Sequence, residues 1–190
     1  KSPPTFQGRV AVDPVAVQIQ SVDQFGNVNT MGGYEGYTTT ITALPNTTID
    51  HVDHQNGTYE LLYRVTKTGT YQVNIQMQGE TITGSPVTMT VTAGPSVPAS
   101  STVDAVTIAT AGITAEFPVL SRDEYYNVRE TGGESFKVKC SHKNKNIIDF
   151  GDGPRSFVDG QVMDYDNGSY TGLCQVTQSG EYDVSVTIDD

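Results

Sequence analysis

Leucine is scarce in this chain of 190 residues, with only 5, and tryptophan is absent. Helical bundles draw heavily on leucine, so the shortage argues against one. No apolar run approaches the roughly 20 residues that span a bilayer, and no charged-then-apolar leader opens the chain. Those absences fit a cytosolic protein or a segment excised from a larger one. Basic residues are few, 11 against 22 acidic, and the net charge of −11 would repel nucleic acid and anionic membranes. Cysteine is limited to two. What is abundant is threonine (25), valine (22) and glycine (19), with 9 prolines. β-Branched side chains are stiff at χ1 and suit a pleated surface, so the chain reads as all-β.

Self-comparison finds a repeat. A shift of 100 residues lays Asp23-Gln24-Phe25-Gly26-Asn27-Val28 over Asp123-Glu124-Tyr125-Tyr126-Asn127-Val128, and Gly32-Gly33 over Gly132-Gly133. A shift of 111 lays Asn56-Gly57-Thr58-Tyr59 over Asn167-Gly168-Ser169-Tyr170, and Gly69-Thr70-Tyr71 over Gly180-Glu181-Tyr182. The second copy therefore carries a net insertion of 11 residues between its double glycine and its Asn-Gly turn. The expected division is a repeat at 1–95, a proline-bearing linker at 96–102, and a second repeat at 103–190. Charge is uneven across it: 4 basic and 7 acidic residues in the first copy, 7 and 15 in the second.

Strand periodicity is legible in both copies. Val15, Val17 and Ile19 alternate, as do Tyr59, Leu61 and Tyr63, then Tyr71, Val73, Ile75 and Met77. The second copy answers with Ala115, Phe117 and Val119, then Tyr182, Val184, Val186 and Ile188. About seven short strands in about 95 residues, each with one apolar face, predict an immunoglobulin-like sandwich of antiparallel sheets.

Together these motifs resemble the filamin-type immunoglobulin repeat. The shared features are the Asp23 turn, the glycine pair, Asn56-Gly57-Thr58-Tyr59, Gly69-x-Tyr71 and Gly84-Ser85-Pro86. The resemblance implies a last strand at Val87–Val91 in the first copy. The second copy stops at Asp189-Asp190 before such a strand, so truncation, or a strand from another chain, is expected there. The opening strand of the first copy is confined to Phe6 to Val12.

The resemblance also implies that Cys140 and Cys174 take the inward positions of Ile41 and Tyr63, on strands of opposite sheets. Two readings stand: a sandwich-crossing disulfide, or two buried thiols acting as small hydrophobes. It further implies non-catalytic binding by strand addition at the third strand. Those edges are Tyr37, Thr38, Thr39, Thr40, Ile41 and Thr42 in the first copy, and Phe136, Lys137, Val138, Lys139, Cys140 and Ser141 in the second. A polar threonine run suits either a binding edge or one blunted against aggregation. The implied partners are proteins, joined at strand edges or by packing of repeat on repeat, self-association included; no nucleic acid and no membrane insertion by this segment is expected.

Asn46, Asn56 and Asn167 are glycosylation acceptors if the chain is secreted. His51-Val52-Asp53-His54 offers metal-ligand types, but on a strand residues 51 and 54 face opposite ways, so a solvated edge is the expectation. Asp164-Tyr165-Asp166-Asn167-Gly168 opens like a calcium loop without its downstream glutamate or flanking helices. Asp149-Phe150-Gly151 spells a kinase tripeptide in the absence of every other kinase element. No phosphate loop, nucleophile elbow or catalytic triad is present, and no cofactor, metal or enzyme activity is expected. Two functions remain: an adhesion or recognition ectodomain at the cell surface, and a rod segment of a cytoplasmic actin-crosslinking filamin.

Overall fold

Alternating side chains bury one face of each strand, and the computed structural model of the chain is built on that alternation. It describes residues 5–9, 14–34, 36–44, 47–104, 106–144 and 157–189. The chain divides into two compact units, Lys1–Gly94 and Pro95–Asp190. All named elements are strands, and none is a helix long and apolar enough to cross a membrane among the described residues.

The first unit holds β1 (Thr5–Arg9), β2 (Val15–Gln20), β3 (Tyr37–Ile41), β4 (Ile49–Asp53), β5 (Thr58–Tyr63), β6 (Gly69–Met77), β7 (Glu80–Thr81) and β8 (Val87–Thr92). One sheet runs β1-β8-β6-β3, with β7 on β6, and the other runs β2-β5-β4. Among the described residues only β1 and β8 pair in parallel. Val17, Leu61, Tyr63, Val73, Ile75 and Met89 fill the space between the sheets. Met77, the last of its alternating run, is instead 38% exposed, because β6 there reaches its hairpin with β7 at the sandwich end.

The second unit holds β9 (Thr102–Val103), β10 (Thr114–Leu120), β11 (Ser135–His142), β12 (Phe157–Asp159), β13 (Gln161–Asp164), β14 (Ser169–Gln175) and β15 (Tyr182–Asp189). Its sheets run β13-β14-β10-β9 and β12-β11-β15. β15 is flanked by β11 alone among the described residues, whereas the equivalent β6 lies between β3 and β8. Val184 is accordingly 40% exposed where Val73 is fully buried.

The repeated motifs are turns with matching hydrogen bonds. The Asp23 carboxylate accepts from the backbone N–H groups of Phe25 and Asn27, and Asp123 accepts from those of Tyr125 and Asn127. Gly57 and Gly168 have φ of 84° and 81°. A Cβ on either would strike the carbonyl of Asn29 or Arg129, so both conformation and space demand glycine. The Tyr71 and Tyr182 hydroxyls donate back to the carbonyls of Lys67 and Gln178, the corner that fixes entry into this strand of immunoglobulin-like sandwiches.

Residues 96–101 form part of the second unit. The Val97 N–H donates to the Arg122 carbonyl at 2.8 Å, and the Arg122 N–H donates to Ser101 Oγ at 3.1 Å. The prolines that exclude regular pairing leave the segment free to make these isolated bonds.

Candidate functional site

The glycine pair delivers the chain to the third strand, and both units hold it in the same way. Asp53 accepts from the Gly33 N–H at 2.6 Å, and Asp164 accepts from the Gly133 N–H at 2.7 Å. The same carboxylates accept from the N–H of Gln55 and Asp166 two residues on. Tyr59 and Tyr170 hydroxyls accept from the next N–H, that of Tyr34 and Glu134. Asp53 and Asp164, drawn from the two acidic motifs, thus serve turns. His51 is exposed on β4 and His54 lies just past it, 3.6 Å from Glu60. Among the described residues no group of three or more His, Cys, Asp or Glu side chains converges as a metal site would require. Asp149-Phe150-Gly151 and Asn46 lie outside the described residues.

In the first unit β3 pairs with β6 in the register Thr39↔Ile75. Ile75 donates its N–H to Ser85 Oγ and accepts from the Ile82 N–H, so its polar groups point away from β3. In an antiparallel ladder Thr39 must then direct its own N–H and C=O to the other side. By alternation Tyr37 and Ile41 do the same, the Ile41 carbonyl there accepting from the Leu44 N–H at 3.2 Å. Among the described residues no strand pairs with that side. Beneath the edge, Tyr37 and Ile41 are buried, and Tyr37 stacks at a tilt on Tyr59 with ring centroids 5.2 Å apart. Thr38 and Thr40 are exposed on the outer face. Thr42 lies just beyond β3, its N–H donating to the Gln72 carbonyl.

The corresponding edge of the second unit is different, and the expectation of an open edge from Phe136 to Ser141 is corrected there. β12 pairs antiparallel with β11 in the register Lys139↔Asp159, Cys140↔Val158 and Ser141↔Phe157. The Gly160 N–H donates to the Val138 carbonyl at 2.8 Å. Val158 packs inward on Phe117, Cys140 and Cys174, while Lys139 Nζ sits 3.6 Å from the centre of the Phe157 ring. Only Phe136 and Lys137 lie beyond the reach of β12. The covering strand falls within the stretch that carries the 11-residue insertion. Phe157-Val158 was the sequence signal for it, too short to stand as a strand by periodicity alone.

Cys140 and Cys174 are joined as a disulfide from β11 to β14, with Cα atoms 6.6 Å apart. The two strands belong to opposite sheets. In the first unit the same two places hold Ile41 and Tyr63, and burial pushes the Tyr63 hydroxyl up to about 12.

Asn56 and Asn167 stand exposed at the two Asn-Gly turns. Each side-chain carbonyl accepts from the backbone N–H and hydroxyl of the residue two on, Thr58 or Ser169. The same Asn-Gly-Thr/Ser triplet that forms a glycosylation acceptor is therefore also a turn-forming unit.

Fold and edges together define a tandem of immunoglobulin-like sandwiches of the structural or binding kind. Residues 2–88 match the family model of the Filamin/ABP280 repeat, and the first unit is a filamin-type repeat. Among solved structures, the chain is similar to FdeC, an Escherichia coli adhesin, at 19% identity and a TM-score of 0.61, over 97% of this chain and 58% of that one. It is also similar to invasin, a bacterial integrin-binding protein, at 15% identity and a TM-score of 0.58, over 95% of this chain and 34% of that one. The chain thus spans well under two thirds of each of these structures, and the likeness is one of fold.

Proposed function

We propose that the chain is a protein-binding and spacing segment of a cell-surface adhesion or recognition ectodomain, and that a partner adds an extended strand to β3. The observation that carries the binding reading is the outward-facing backbone of Tyr37, Thr39 and Ile41, above a buried tyrosine pair. Strand addition uses such groups for affinity and flanking side chains for selectivity. The cross-sheet disulfide supports an oxidising compartment. The adhesin folds fit that reading, and a cytoplasmic actin-crosslinking rod is the competing one.

Intact-mass measurement of the native protein, with and without reduction and glycosidase, tests the compartment. A reducible bond and glycan mass on any of Asn46, Asn56 or Asn167 are expected. Free thiols with no glycan would favour the cytoplasmic rod. For the edge, peptides selected by display on the full chain are expected to lose binding to Thr39→Pro. That substitution removes an N–H the β3-β6 ladder does not use. Selected binders indifferent to it would refute strand addition at β3.

A further inference from the structure

β3 lies over β5 in the first unit and β11 lies over β14 in the second, at three matched levels. Tyr37 meets Tyr59 and Phe136 meets Tyr170 at one end, with ring centroids 5.2 and 4.6 Å apart. The Cys140–Cys174 bond marks the other end, at the places of Ile41 and Tyr63. Between them Val138 stands over Gly172, where an added Cβ would fall 2.7 Å from Val138 Cγ2. By the same alternation Thr39 stands over Leu61 in the first unit.

The next strand completes this middle level, and here the units part. In the second, Val162 of β13 pairs with Gly172 and packs on Val119, Phe136 and Tyr170. In the first, the same place holds His51 of β4, which pairs with the buried Leu61. Residues directly opposite in an antiparallel ladder share a face, so His51 stands on the inward face with Leu61. That parity ordinarily takes an apolar residue, as Val162 shows. His51 is nonetheless exposed. The ionisable groups around it are engaged: Asp53 accepts from Gly33 and Gln55, His54 stands by Glu60, and Asp50 by Arg64. Among the described residues no hydrogen bond or ion pair engages His51.

The second unit shows what lies above this level. β12 runs beside β11 and passes through Gly160 directly into β13, so the place beside β11 is also the place above β13. Gly160 stands opposite Val138 and donates its N–H to the Val138 carbonyl. It brings no side chain, and a Cβ there would lie 2.8 Å from Val138 Cγ1. With valine at 138 and 162 the middle level is already full.

We propose that a strand added to β3 carries an aspartate or glutamate opposite Thr39, and that His51 receives it. This rests on the strand addition proposed above and names the chemistry of its partner. The residue opposite Thr39 uses the outward N–H and C=O of Thr39, and its side chain enters above His51. Facing sheets stand about 10 Å apart, a gap that one side chain from each side fills. An imidazole donates an N–H in either protonation state and an ionised carboxylate only accepts, so the two match. An apolar side chain would cover the imidazole and leave it unmet, at the cost typical of a buried polar group without a partner.

The test is selection from a random displayed peptide library on the full chain, repeated on His51→Val, which installs the residue of the second unit. Binders abolished by Thr39→Pro are kept, because these use the β3 backbone. On the unaltered chain they should share Asp or Glu at one position, and on His51→Val that position should turn apolar. A synthetic peptide of the consensus should bind His51→Val about tenfold more weakly, and alanine at its acidic position should cost nothing further there. Thr39→Pro-sensitive binders that lack the acidic position, or keep it on His51→Val, would overturn the proposal and leave strand addition standing. Absence of any Thr39→Pro-sensitive binder would remove the β3 reading itself, and this inference with it.

Discussion

The two units use one set of turns and treat their edges and cores in opposite ways. In the first, the outward backbone groups of Tyr37 and Thr39 on β3 face no strand among the described residues, and in the second β12 covers most of β11. In the second, the Arg122 bridge to Val128 is clasped by the flank, residues 96–101, a contact that the described residues of the first do not make at Val22. In the first, Ile41 and Tyr63 fill the core by volume, and in the second a covalent bond replaces them. The difference teaches that turn chemistry sets the sandwich, while insertions and flanks decide which edges remain available to partners. The unit whose β11 edge is covered also carries the larger share of the acidic charge. Such charge keeps a chain soluble without building a site.

Removing the disulfide is the sharpest way to separate the units. Closure of a loop with a sequence separation of 34 stabilises by roughly 3–4 kcal/mol in the chain-entropy treatment. Cys140→Ala with Cys174→Ala should lower the stability of the second unit by about that much and leave the first unchanged. Urea unfolding followed by residue-resolved amide signals reads both, and equal losses in the two units would break the comparison.

Tyr63 provides the matching test in the first unit. Its hydroxyl ordinarily ionises near 10.0, and burial raises this to about 12. Folding therefore favours the neutral form. That contribution is full below pH 10 and is lost as pH rises towards 12, to the extent of about 3 kcal/mol. Stability of the first unit should fall over that window, and Tyr63→Phe should flatten the fall. Persistence of the full slope in the variant would locate the alkaline loss elsewhere.

The covered edge is tested by Val158→Pro, which deletes a donor of the β12-β11 ladder and the side chain packed on the cysteines. The Cys140 amide should exchange roughly tenfold faster, with the Ile41 amide unchanged. Unaltered exchange at Cys140 would show that β12 does not protect this edge.

The smallest effects come from the paired aspartates. Asp123→Asn should cost about 1–2 kcal/mol, because a buried carboxylate loses a charge-assisted acceptor of backbone and Asn127 N–H groups. The exposed Asp23 is held below the ordinary carboxylate range, chiefly by the Asn27 side chain. Its contribution is present above pH 3.8 and lost as pH falls through its lower folded value, and Asp23→Asn should change stability less than Asp123→Asn. Thermal melts of the two variants decide this, and equal losses would remove the role assigned to the covering flank.

Much of the fold was legible because its signals are local. Asn56-Gly57-Thr58-Tyr59 names a turn, a strand start and the hydroxyl that receives the Tyr34 N–H. Val15, Val17 and Ile19 declare a buried face by period alone. The β3 edge was legible only as a strand, since pairing on its far side depends on residues that arrive from elsewhere in the chain. Phe157–Asp159 is three residues long, too few for a period, and it becomes a strand by meeting β11. Pro95 to Ser101 reads as linker because its two prolines forbid a ladder, yet its single N–H and hydroxyl groups find Arg122.

Val184 shows the same limit from the other side. Its alternation with Tyr182 and Val186 predicts a core face, but burial requires a neighbour across the sheet as well as the right parity. The sequence by itself determined the all-β class, the doubling of the sandwich, and the turns with their glycines, aspartates and tyrosines. Each of those follows from conformational preferences and hydrogen bonds within a few residues. Only the tertiary structure decided which backbone edges are covered and which face outward. Edge pairing joins segments far apart in sequence, and nothing local records whether the partner arrives.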